Sequence, residues 1–97
     1  MVAELLADFC NDAARRLLRL RAAIDRNDAA AMKIEVHSIK GSAAQMGAER
    51  MAAACQRLEL AVVRGAPAIT PADADLIGTL FDEVSAAIGR HPLSGRC

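Results

Sequence analysis

Tryptophan and tyrosine are absent from these 97 residues, and phenylalanine occurs only twice, at Phe9 and Phe81. Sheets favour aromatic and β-branched side chains, so a chain that is 54% hydrophobic yet rich in alanine and leucine suits closely packed helices. Charge of one sign is also missing, because twelve basic and twelve acidic residues cancel. A nucleic-acid binder would carry a basic excess, so that class of partner is excluded. Cysteine is scarce. Cys10, Cys55 and Cys97 are odd in number and widely spaced, which matches neither a disulfide framework nor a zinc pattern such as C-x-x-C. No apolar run approaches the ~20 residues of a membrane span. Met1 to Asp8 contains acids and lacks the basic start of a signal peptide. The expectation is a cytoplasmic chain with no membrane partner and no metal.

What is present is helical periodicity. Leu5, Phe9, Ala13, Leu17, Leu20 and Ile24 step by four or three, which predicts a first helix fading at Arg26-Asn27. Arg15, Arg16, Arg19 and Arg21 fall mostly off that stripe and read as a solvated face. Asn27 or Asp28 can cap a second helix, whose stripe is Met32, Val36, Ile39, Ala43 and Met46. Gly47 breaks it. A third stripe is Met51, Ala54 or Cys55, Leu58 and Val62, ending near Gly65. "GAPAIT" (65 to 70) reads as a linker, with Thr70 as a cap and Pro71 as the first helical residue. The last helix carries Ile77, Leu80, Phe81, Val84, Ala87 and Ile88. The expected architecture is all-α, an antiparallel up-down four-helix bundle over residues 1–90, with 91–97 a frayed tail. A three-helix core lending its first or last helix to a partner is the alternative.

The second helix holds the chemistry. His37 follows Val36 of the core stripe, so it lies at the edge facing water. Lys40 stands at i+3 and Lys33 at i−4, the spacings that share a helix face, and Gly41 at i+4 leaves bare backbone beside them. A neutral imidazole is a nucleophile that needs no separate base. Two ammonium groups beside it favour an anionic group with several oxygens, and a phosphoryl group fits. Gly41 weakens its own helix, which makes sense if a second macromolecule must approach the histidine closely. If the chain reverses at Gly47-Ala48, His37 lies eleven residues before Ala48 and Glu59 eleven after it. A carboxylate at that height can accept the Nδ1–H and leave the lone pair on Nε2. Gln56 is a second polar candidate. Ser42 can bond a backbone carbonyl of its own helix or line the partner's footprint.

The segment H-S-I-K-G-S-A-A-Q-M-G-A-E-R-M-A-A-A-C-Q-R-L-E, residues 37 to 59, resembles the signature of histidine-containing phosphotransfer (HPt) domains. The shared elements are His37, Lys40, Gly41, Ser42, Gly47, Ala48, Cys55, Leu58 and Glu59. The resemblance implies a four-helix bundle that relays phosphoryl groups between receiver-domain aspartates in a multistep phosphorelay. It implies that His37 is the phosphoacceptor, that Lys40 supports the phosphoryl oxygens, and that Gly41 gives the receiver room. Where relatives often have a glutamine hydrogen-bonded to the imidazole, this chain has Glu59.

The expected partners are a response-regulator receiver domain, a hybrid sensor histidine kinase, or both, met by a monomer. No glycine-rich nucleotide loop is present, so the reading is a phosphocarrier with no cofactor and no kinase activity of its own. Lys33, Gly41, Ser42 and Gln56 are the candidate partner contacts, and His91, beside Pro92, is outside the site. Two rivals are a helical adaptor that binds a receiver without phosphotransfer, and a small metal or hydrolytic site built from His37, Glu59 and Cys55. Cys55 falls on the inward face, which leaves too few ligands for a closed zinc site.

Overall fold

The computed structural model describes residues 2–63 and 69–89, with side chains described over 7–63 and 69–87. Four helices account for almost all of it: α1 (Val2–Asp25), α2 (Ala29–Gln45), α3 (Glu49–Val63) and α4 (Pro71–Gly89). There is no strand among the described residues. Each helix packs on the next in sequence, and α1 closes the ring against α4. On α1 the residues Asp12 and Arg16 meet Ser42 and Glu35 of α2, so numbers rise on one helix as they fall on the other. The pair is antiparallel, as expected for an up-down bundle. Among the described residues, no helix is long and apolar enough to cross a membrane.

The helix ends are written in local chemistry. Asn27 adopts a left-handed φ of 55° and ends α1. Its N–H donates to Ile24 O (3.0 Å) and the Asp28 N–H to Ala23 O (2.9 Å), satisfying carbonyls the helix would otherwise leave open. Asp28 then caps α2, its carboxylate accepting from the Ala31 N–H at 3.1 Å. The α2–α3 turn repeats the device: Gly47 has φ 74°, and its N–H donates to Ala44 O while Ala48 N–H reaches Ala43 O at 2.8 Å. At the start of α4, Thr70 and Asp73 cap each other's backbone N–H groups.

The expected stripes form the core. Phe9, Ala13 and Leu20 of α1, Met32, Val36, Ile39 and Ala43 of α2, Met51, Ala54 and Cys55 of α3, and Ile77 and Leu80 of α4 are buried. Phe9 and Phe81 meet edge to face, ring centres 6.3 Å apart. Leu5, Ile88, Gly65 and the tail 91–97, with His91 and Cys97, lie outside the described side chains. Ala87 departs from expectation and is exposed. It lines a shallow groove where Gly47 and Ala48 have too little bulk to cover it. The arginines of α1 are not uniformly a solvated face either. Arg15 and Arg19 are exposed, but Arg16 is half-buried and holds Asp12 (2.9 Å) and Glu35 (3.5 Å), and Arg21 holds Asp75 at 2.8 Å. Their planar forks reach neighbouring helices that lie within a side chain's length.

The two glycines of α2 and its turn predict opposite responses to alanine. Gly47→Ala should cost about 1–2 kcal/mol, because a Cβ is strained in the left-handed region. Gly41→Ala should stabilise by up to about 1 kcal/mol, since a Cβ there meets none of the described residues within 4 Å. Urea midpoints of the two variants check both. Equal stability of Gly47→Ala and the parent chain would contradict the cap.

Candidate phosphotransfer site

The sequence stripe turns Val36 inward, and the next residue, His37, emerges at the α2 edge that faces α3. Its side chain is 66% exposed, while Glu59 opposite it is only 15% exposed. His37 Nδ1 lies 2.6 Å from Glu59 Oε2. The other carboxylate oxygen, Oε1, accepts from Lys40 Nζ at 2.5 Å. A charged carboxylate beside the ring assigns the proton to Nδ1, which leaves the Nε2 lone pair free. Equal distance from the turn therefore did place Glu59 opposite His37.

Glu59 titrates below the ordinary glutamate range. The hydrogen bond from Lys40 is the largest cause; partial burial opposes it, and the His37 hydrogen bond adds to it. Cys55 behaves differently. It is fully buried, and its thiol is pushed up to about 12 by that burial and then by the Glu59 charge, with Lys40 pulling the other way. A thiol so hard to ionise is a poor ligand. Among the described residues, no group of three or more His, Cys, Asp or Glu side chains is placed to hold a metal ion.

The other sequence candidates separate. Gly41 is exposed, and with Lys40, Ala44, Ala53 and Gln56 it lines a groove of about 520 Å³ between α2 and α3. Among the described residues nothing packs where its side chain would be, so no contact among them demands glycine here. Lys33 is exposed one turn on the far side of His37. Ser42 is turned away: half-buried, it directs its hydroxyl to Asp12 of α1 at 3.5 Å. Three exposed apolar residues, Ile34, Leu60 and Val63, were not singled out from the sequence. Ile34 stands at i−3 from His37, Val63 at i+4 from Glu59 and Leu60 at i+4 from Gln56, so they border the site on the side away from Gly41. An apolar residue off the core stripe was the available signal.

The family model of the Hpt domain matches residues 4–87. The chain belongs to the Hpt domain family. This Hpt domain is similar to the crystal structure of histidine-containing phosphotransfer protein B from Pseudomonas aeruginosa, with 34% identity and a TM-score of 0.82. The likeness covers 88% of this chain and 74% of that one. No curated protein matches the chain.

The lowered Glu59 titration sets a pH dependence in this Hpt domain. A carboxyl favoured in its charged form contributes stability that is full above its ordinary value and is lost as pH falls through its lowered folded value. The urea midpoints of parent and Glu59→Gln chains should therefore differ at neutral pH, with the gap shrinking below about pH 4.5. A gap that stays constant down to pH values well below that range would show that the two contacts do not depend on the charge.

Proposed function

We propose that this chain is a phosphocarrier in which His37 exchanges a phosphoryl group with the aspartates of receiver domains. The observation that carries the reading is the division of labour at the site. The imidazole is open to solvent, while the carboxylate on its Nδ1 is shielded and 2.6 Å away. In the loading step the Nε2 lone pair attacks the phosphorus of an aspartyl phosphate. The N–P bond forms, the P–O bond breaks, and the aspartate leaves as its carboxylate. The ring gains positive charge as it attacks, and Glu59, already accepting the Nδ1–H, stabilises that charge. Delivery to the next receiver is the same step reversed.

The groove and its borders suit a docked macromolecule better than a small substrate. Gly41 and Gln56 line the opening, Lys33 adds charge, and Ile34, Leu60 and Val63 add an apolar margin. Ser42, facing α1, is left to the scaffold. The reading assigns the upstream step to a hybrid kinase or its receiver, gives the chain no ATP chemistry of its own, and has it work as a cytoplasmic monomer.

Incubation with a phosphorylated receiver domain should transfer label to the chain. The bond should be acid-labile and base-resistant, as a phosphoramidate is and a phosphoserine on Ser38 or Ser42 is not. His37→Gln should abolish labelling and His91→Gln should change nothing. Gly41→Gln should fold normally and transfer more slowly, because the new side chain enters the docking surface. Label persisting in folded His37→Gln would refute the assignment, and receiver binding without any transfer would favour an adaptor.

A further inference from the structure

Lys40 meets the same carboxylate that meets the imidazole of His37 at Nδ1. Its ammonium is held on Glu59 Oε1 at 2.5 Å, and at 28% side-chain exposure it is more shielded than His37 at 66%. Both oxygens of one carboxylate are thus taken, one by the nucleophile's ring and one by a cation three residues further along the same helix.

We propose that Lys40 is a positioning residue whose charge acts on transfer through Glu59, neutralising the carboxylate that orients the imidazole. The inference rests on His37 being the acceptor and deepens that reading. A glutamate beside the acceptor serves one half of the reaction and hinders the other. It stabilises the positive ring during attack, but it stands near a phosphoryl group that carries about two negative charges. Paired with Lys40, the carboxylate keeps its acceptor oxygen for Nδ1 and presents little net charge to the phosphoryl group. Shielding strengthens the pairing relative to one in open solvent, since water screens it less. A glutamine at the same position would offer the acceptor oxygen with no charge to neutralise. Glutamate therefore creates a requirement for the lysine that glutamine would not.

The test is a double-mutant cycle read by the rate of loading from a phosphorylated receiver domain. Lys40→Ala should slow loading by about tenfold, the equivalent of about 1.4 kcal/mol. Lys40→Arg should keep most of the rate, because it retains the charge and a donor. Glu59→Gln should load within severalfold of the parent chain. The decisive variant is Lys40→Ala with Glu59→Gln, which should load about as fast as Glu59→Gln alone. The phosphorylated forms add a second readout: spontaneous loss of phosphate should be faster in Lys40→Ala, and slow again in the double variant. If removing Lys40 costs the same in the Glu59→Gln background as in the parent, the lysine acts on the phosphoryl oxygens directly and the inference is overturned. That result leaves the acceptor assignment standing, whereas labelling of His37→Gln overturns the acceptor assignment whatever the cycle shows.

Discussion

Glu59 reaches from α3 to two residues of α2, with one carboxylate oxygen on His37 Nδ1 and the other on Lys40 Nζ. Meeting two donors three residues apart requires the two helices to be close, antiparallel and in a fixed register. Small residues supply the closeness: Ala43 and Ala54 are buried in the core that α2 and α3 share. The left-handed Gly47, with its two backbone hydrogen bonds, makes the reversal tight and sets its position. A shift of one residue along α3 would rotate Glu59 by about 100° off the face that meets α2.

Among the described residues, the first and last helices supply no side chain to that constellation. Their work is to close the core behind it, through Phe9, Leu20, Ile77 and Leu80, so that α2 presents only its outer face to water. Arg21–Asp75 and Arg50–Glu83 cross between helices in exposed positions. Such pairs contribute little to stability and more to which helix lies beside which. The constellation thus stands on a two-helix edge, and the other two helices back that edge. Among the described residues no neighbour crowds Gly41, so none of them sets a requirement for glycine there.

Much of this was legible in the sequence because it depends on periodicity and turn chemistry. The stripes Met32-Val36-Ile39-Ala43 and Met51-Ala54-Cys55 follow from helical spacing, and counting from the turn brings Glu59 to His37. Side-chain direction at the ends of long residues was not legible. The ion pair of Lys40 with Glu59 was not foreseen, because a flexible stem turns to whichever carboxylate the neighbouring helix offers. Arg16, Arg21 and Ser42 likewise found partners on other helices, which a single helix face does not reveal. Ile34, Leu60 and Val63 escaped notice because single exposed apolar residues are common, and only their helical spacing from His37, Glu59 and Gln56 sets them apart.

The reactivity proposed for His37 turns on the proton of its imidazole. Long-range nitrogen-15 correlation spectra of the unphosphorylated chain, recorded at a pH where His37 is neutral, report which ring nitrogen carries it. The prediction is a dominant Nδ1–H tautomer, with the lone pair on Nε2, that loses its dominance in Glu59→Ala. A ring protonated chiefly at Nε2, or a tautomer balance unchanged by Glu59→Ala, would contradict the claim that Glu59 prepares His37 for attack.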